Sequence, residues 1–132
     1  MLVVADSPAF HGPERPEPAD EPRLWPNVAA AALGGRAELV AGFGWSARDA
    51  WWALTRDPRV WALLPRIDAL VLGVGSIDTL PSPLPTPLRE RLRYVRPDGR
   101  GNPDGLHWGW AGHAAVGATV AQEVTALLAR RG

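Results

Sequence analysis

Three short apolar segments, each followed at once by turn-forming residues, set the strongest limit on how this chain can fold. They cover residues 2–5, 38–41 and 68–75, and Asp-Ser-Pro, Gly-Phe-Gly and Ser-Ile-Asp follow them. Helical patterns lie between the segments, and strand–helix–strand–helix–strand order predicts a parallel sheet with right-handed crossovers. The third segment shows no alternation of apolar and polar residues, which predicts a strand covered on both faces.

The helices carry recognisable start signals. Pro26 opens the first, and Ser46 with Asp49 resembles a capping box for the second. Asp57 followed by Pro58 predicts the start of a third. The Pro-rich stretch 11–26 is predicted to be a long loop. The predicted helices cover residues 26–33, 47–54, 58–64, 88–95 and 110–131.

Composition excludes several classes of protein. The 132 residues suffice for one domain, and 46% hydrophobic content argues against wholesale disorder. Net charge is zero, which is unfavourable for a generic nucleic-acid binder. The chain has no Cys, so thiolate metal sites are excluded. It has no apolar run long enough for a membrane span and no basic segment before its first apolar stretch, so we expect a cytoplasmic protein without a signal peptide.

The candidate catalytic residues lie in two predicted loops, a serine turn that contains Ser7 and a histidine loop that contains residues 104–107. Ser7 directly follows the first predicted strand, and Asp104-Gly105-Leu106-His107 precedes the last helix. A serine nucleophile needs a base to accept its proton, and the base needs an acceptor that fixes its tautomer. In a parallel sheet the carboxyl ends of the strands form the reactive edge, so the loops that follow the strands are expected to meet there.

Each of these residues also has a simpler interpretation. A serine after a strand is commonly a turn or cap residue, and a single histidine is more often hydrogen-bonded than catalytic. Asp78 is a candidate cap for the segment after the third strand, and His113 is expected to pack or to lie exposed on the last helix. The order of the motifs along the chain is therefore a stronger signal than any one of them.

That order resembles the SGNH (GDSL-type) hydrolase superfamily. The resemblance implies a three-layer, flavodoxin-like α/β domain, shortened here to about three parallel strands with helices on both faces. It implies Ser7 as nucleophile, His107 as base and Asp104 as the acid that orients it. The matching blocks are Ala5-Asp6-Ser7, Gly44, Gly75-Ser76-Ile77-Asp78 and Asp104-Gly105-Leu106-His107.

The same resemblance assigns further roles. The backbone N–H groups of Ser7 and Gly44 would stabilise the oxyanion, and Asp78 and Trp45 would contact substrate, with no cofactor and no metal. Ile77 stands where the superfamily has an Asn that donates to the oxyanion. Loss of one such donor typically lowers the rate by roughly 10²–10³.

A closer resemblance is to actinobacterial octanoyltransferases that act on glucosylglycerate acceptors, which also lack that Asn. The likeness covers residues 2–97 and 100–132 of a single domain, and a segment of the family's domain is absent around residues 97–100. The resemblance rests on residues 20–27, 44–52, 80–86 and 101–108.

Three functions remain open from the sequence. The first is octanoyl transfer through an acyl-enzyme, from a small-molecule acyl donor to a sugar-type acceptor. The second is an SGNH esterase that passes the acyl group to water. The third is an inactive remnant that binds partners, or a second copy of the chain, through the exposed edge of residues 69–74.

Overall fold

The computed structural model describes residues 1–74 and 107–130, which form an α/β fold with three parallel strands. Helices cover both faces of the sheet, as the sequence predicts. The strands are β1 (Leu2–Ala5), β2 (Glu38–Ala41) and β3 (Leu70–Gly73), and the helices are α1 (Trp25–Ala32), α2 (Ala47–Arg56), α3 (Pro58–Leu63) and α4 (Trp110–Ala129).

The strand order is β2-β1-β3, with β1 in the centre. Leu2 lies opposite Glu38 on one side and Leu70 on the other. The chain therefore moves to one side of β1 and then crosses to the other side, as in the first three strands of a flavodoxin-like sheet. A reversal of this kind opens a crevice at the carboxyl end of β1, and the turn that starts at Ser7 lies there.

The side chains of β1 divide the core into two layers. Leu2 and Val4 contact the layer that contains α2 and α3, whereas Val3 and Ala5 contact Trp25 of α1 and the side chains of α4. All four β1 side chains are fully buried. Burial of a valine or leucine side chain contributes about 1.5–3 kcal/mol, so Leu2, Val3 and Val4 make β1 a rigid support for the loop that follows it.

The third strand is shorter and less covered than the sequence predicts. It spans Leu70–Gly73 rather than residues 68–75, and its side chains are not covered on both faces. Leu70 is 40% exposed and Leu72 is 52% exposed, whereas Val71 packs on the layer that contains Trp25. The prediction of two covered faces is therefore wrong, because a continuous apolar run does not by itself determine what packs over each face.

The helix ends follow the local signals closely. The capping box of α2 is present, since the Ser46 hydroxyl accepts from the Asp49 N–H and the Asp49 carboxylate accepts from the Ser46 N–H. Asp57 caps α3 by accepting from the Arg59 N–H at 2.9 Å. The first helix spans Trp25–Ala32 instead of 26–33, and the last ends at Ala129 instead of 131.

The loop between β1 and α1 is irregular, as its prolines predict. It contains one isolated antiparallel bridge between His11 and Pro16. Across the two described ranges, no helix is both long and apolar enough to cross a membrane. The predicted helix 88–95 and the predicted site residues Asp78 and Asp104 lie outside the described residues.

Candidate active site

Ser7 begins a tight turn that is attached to the sheet. The N–H of Asp6 donates to the carbonyl oxygen of Gly73 at 3.0 Å, which connects this turn to the end of β3. Ser7–Ala9 forms one turn of 3-10 helix, in which Pro8 restricts the backbone. The carbonyl oxygen of Ser7 accepts from the N–H groups of Phe10 and His11, at 3.0 and 2.8 Å. These bonds fix the backbone that carries the Ser7 hydroxyl.

The structure brings Ser7 and His107 together, although they are 100 positions apart in the sequence. Nε2 of His107 lies 2.9 Å from Oγ of Ser7, and both residues are buried. This is a hydrogen-bond distance, and it is the geometry that proton transfer from a serine hydroxyl to a neutral imidazole requires.

His11 is a site residue that the sequence reasoning missed. Its ring stacks on the ring of His107, with centroids 3.6 Å apart and planes 12° from parallel. Its Nδ1 lies 2.7 Å from the carbonyl oxygen of Gly12. Because a carbonyl oxygen can only accept, Nδ1 of His11 carries a proton and donates it. No sequence pattern indicates that His11 stacks on His107, because a histidine in a loop belongs to no helical or strand periodicity that would predict its position.

His113 is neither exposed nor merely packed. It is fully buried near the start of α4, where Nδ1 accepts from the Trp25 N–H at 3.1 Å and Nε2 donates to the carbonyl oxygen of His11 at 3.0 Å. Burial lowers the pKa of His113, which favours the neutral ring that this pair of bonds needs. His113 lies four residues before the buried Gly117 and eight before the buried Ala121, and this helical spacing indicates that it is buried. The spacing does not indicate that Trp25 and His11 are its hydrogen-bond partners.

The loop after β2 lies at the same edge of the sheet. The N–H of Gly42 donates to the carbonyl oxygen of Ala5 at 3.3 Å, directly before the serine turn. The indole of Trp45 covers Gly42 so closely that an added β-carbon would lie 2.6 Å from its Cε2 atom. Trp45 also packs against the layer of Leu2 and Val4, so its assignment to substrate binding stays a prediction.

Two further residues of this loop are exposed. Gly44 is exposed and has a φ of +64°, a conformation that favours glycine. Phe43 is 61% exposed, and its ring meets that of Phe10 edge to face at 4.9 Å. The role of the Gly44 N–H in an oxyanion hole stays a prediction, as do the roles of Asp104 and Asp78, which lie outside the described residues.

No group of three or more candidate metal ligands occurs within residues 1–74 and 107–130. What these residues do form is a hydroxyl beside an imidazole, at the carboxyl end of the central strand of a parallel α/β sheet. That arrangement is capable of nucleophilic acyl transfer, in which serine attacks a carbonyl carbon and histidine moves the proton.

Comparison with known proteins finds two curated relatives that carry the name of an acyltransferase. A curated relative named diglucosylglycerate octanoyltransferase, from Mycolicibacterium hassiacum, is 53% identical over 97 residues. A relative of the same name from Mycobacterium tuberculosis is 55% identical over 97 residues. The matched segment covers 74% of this chain but 40% and 39% of the two relatives, so the chain spans about two fifths of their length. No family model matches the chain, and no solved structure matches it.

Proposed function

We propose that this chain catalyses serine-dependent acyl transfer, with an octanoyl group as the acyl unit and a glucosylglycerate-type sugar as the acceptor. The observation that carries the proposal is the 2.9 Å contact between Ser7 Oγ and His107 Nε2 at the end of β1. The octanoyl group and the acceptor are taken from the name of the two relatives.

The reaction proceeds in two balanced steps. In the first, His107 Nε2 takes the Ser7 hydroxyl proton while Ser7 Oγ attacks the acyl carbonyl carbon. The bond to the leaving group then breaks, His107 returns the proton to that group, and the acyl chain remains on Ser7. In the second, an acceptor hydroxyl gives its proton to His107 and attacks the acyl-enzyme, and Ser7 leaves with that proton.

The remaining roles follow from the SGNH resemblance. The N–H groups of Ser7 and Gly44 stabilise the negative charge on the carbonyl oxygen, and Asp104 orients the His107 ring. Asp78 and Trp45 contact the substrate. The turn that begins at Ser7 and the positive φ of Gly44 both support this arrangement, because backbone N–H groups approach a ligand most easily at tight, glycine-containing turns.

Hydrolysis by an SGNH esterase is the second candidate, because transfer and hydrolysis share every step up to the acyl-enzyme. Only the exclusion of water and the placement of an acceptor hydroxyl separate them. The name shared by the two relatives favours transfer.

An inactive binding module is the third candidate. The exposed side chains of Leu70 and Leu72 on β3 favour it, since an apolar sheet edge pairs readily with another chain. The buried contact between Ser7 and His107 favours an active site instead, because it lies at the carboxyl ends of the strands, where parallel α/β sheets carry their active sites.

A serine-reactive fluorophosphonate tests the catalytic pair. We expect it to label the wild-type chain, and we expect Ser7→Ala and His107→Ala to abolish labelling. Ser82→Ala is the matched control and should label like the wild type. An unlabelled wild type, or equal labelling of Ser7→Ala, would support the inactive module, and labelling of His107→Ala would remove histidine as the base.

A p-nitrophenyl octanoate assay separates transfer from hydrolysis. The chain is incubated with this ester in the presence and absence of a glucosylglycerate acceptor, and the octanoylated product is measured by mass spectrometry. We expect the octanoyl ester of the acceptor to form, and we expect the acceptor to lower the release of free octanoate. Free octanoate released at the same rate with or without acceptor would establish the esterase and exclude the transferase.

A further inference from the structure

We infer that His11 is a positioning residue for His107, which holds the imidazole of the base in line with the Ser7 hydroxyl. This inference rests on the proposed serine-dependent transfer and adds a residue to its machinery. His11 is buried, and it lies outside the set of Ser7, Asp104 and His107 that the sequence indicates.

The backbone of His11 is fixed to the serine turn itself. Its N–H donates to the carbonyl oxygen of Ser7 at 2.8 Å, and its own carbonyl oxygen accepts from Nε2 of His113 at 3.0 Å. His113 is anchored in turn by the Trp25 N–H. The backbone of His11 is thus held on one side by the residue that carries the nucleophile and on the other by α4.

The side chain of His11 is fixed as well. The hydrogen bond from its Nδ1 to Gly12, at 2.7 Å, opposes rotation of the ring. The ring of Phe43 stands at 80° to it, with centroids 6.1 Å apart. The ring held in this way lies flat on His107, at 3.6 Å and 12°. One residue therefore connects the carbonyl group of the nucleophile to the ring of the base.

This contact suits the charge that His107 carries during the reaction. When His107 takes the Ser7 proton it becomes an imidazolium, and the π face of the His11 ring lies against that cation. A flat neighbour also limits tilting of the base, and a misplacement of about 1 Å at a reacting group can lower a rate by about 100-fold.

Two substitutions separate the stacked ring from the hydrogen bond. His11→Phe keeps a flat ring on His107 and loses the donor to Gly12, whereas His11→Asn keeps a donor and loses the stack. The maximal rate constant of Ser7 labelling by the fluorophosphonate is expected to fall about 10-fold in His11→Asn, with an unchanged half-saturating concentration. In His11→Phe it is expected to change by less than about 3-fold.

Proton NMR of the His107 ring supplies a readout that does not depend on labelling. Ring protons of His107 that are shielded by the stacked ring should move downfield in His11→Asn and stay shielded in His11→Phe. Thermal unfolding of all three proteins shows whether a rate change merely follows a loss of folded protein.

Three results would overturn the inference. They are wild-type labelling rates in His11→Asn, equal losses in both variants, and a wild-type His107 ring without ring-current shielding. The proposed function fails separately, through an unlabelled wild type, and in that case the NMR result alone decides whether His11 positions the His107 ring.

Discussion

Gly117 of α4 lies so close to Val28 of α1 that an added β-carbon at position 117 would stand 2.6 Å from Val28 Cβ and 2.9 Å from the carbonyl oxygen of Trp25. Real β-carbons do not approach other atoms so closely. The two helices can pack at this distance because residue 117 is a glycine and has no side chain. This contact matters for the site because His113, one turn earlier in α4, bonds to both Trp25 and His11.

Gly117→Ala is therefore expected to destabilise the chain, although alanine is the better helix former. Overpacking of a filled interface typically costs about 1–3 kcal/mol, and the gain in helix propensity recovers about 1 kcal/mol at most. Urea unfolding measures the net change. The double variant Gly117→Ala/Val28→Gly should lose less than the sum of the two single variants, because Val28→Gly removes both Val28 Cβ and Val28 Cγ1, the side-chain atoms that the new methyl group meets. If the two substitutions are simply additive, the helices do not meet at this pair.

His113→Phe is expected to destabilise the fold by leaving two buried groups without a partner. They are the N–H of Trp25 and the carbonyl oxygen of His11. An unsatisfied buried group costs about 1–3 kcal/mol, so the midpoint of urea unfolding should fall clearly. His113→Gln, which keeps a donor that can reach His11, should lose less. Equal losses in the two variants would mean that ring packing, and not hydrogen bonding, is the contribution of His113.

Acid should weaken the hydrogen bonds that His113 makes to Trp25 and His11. Burial lowers the pKa of His113 in the folded chain below its ordinary value of about 6.5, so the unfolded chain binds the proton first as the pH falls. The stabilising contribution of neutral His113 is thus complete above about pH 6.5 and is lost as the pH falls from there through the lowered folded pKa. The free energy of unfolding, measured between pH 8 and pH 5, should depend less on pH in His113→Phe than in the wild type. A pH dependence that is identical in both would contradict this assignment.

Local signals in the sequence predicted the parts of the fold that depend on neighbouring residues. Ser46 and Asp49 form the predicted capping box, because both hydrogen bonds of that motif close within one turn. The position of the serine turn was also predictable, since β1 is a fully buried strand and parallel sheets collect their loops at one edge.

The features that the sequence did not predict depend on contacts between distant residues. The exposure of Leu72 is determined by what packs over β3, which an apolar run cannot reveal. The stacking of His11 on His107 joins two loops that are remote in the chain, and nothing in the local sequence of either loop indicates the other. The hydroxyl and the imidazole that meet in the candidate site could thus be identified from the sequence, whereas the residues that contact them could not.

The capping box of Ser46 and Asp49, at the start of α2, makes a prediction about the pH dependence of stability. Hydrogen bonds from the Ser46 side chain and backbone lower the pKa of Asp49 below its ordinary value. The contribution of Asp49 to stability is therefore present above its unfolded pKa of about 4 and is lost as the pH falls through the lower folded value. Ser46→Ala should cost about 1 kcal/mol in urea unfolding at pH 7 and should weaken this acid-dependent loss. An unchanged acid profile in Ser46→Ala would show that Asp49 is stabilised by another partner.

Two glycines with nearly the same backbone conformation make the proposed oxyanion donor testable. Gly44 has a φ of +64° and Gly34 has a φ of +70°, and an added β-carbon at either position meets no atom within 4 Å. Alanine at either position should therefore cost a similar amount, about 1–2 kcal/mol, through backbone strain alone. Gly34 follows α1, away from the serine turn, whereas Gly44 follows β2 at the reactive edge of the sheet.

If the N–H of Gly44 stabilises the oxyanion, Gly44→Ala should slow labelling of Ser7 far more than Gly34→Ala does. A displaced donor is expected to cost up to about 100-fold, because complete removal of one typically costs roughly 10²–10³. Equal unfolding midpoints in the two variants would establish that the strain is matched, so that any difference in labelling rate reports on the site. Equal labelling rates in two equally destabilised variants would exclude the Gly44 N–H as a donor and leave the Ser7 N–H as the one proposed donor.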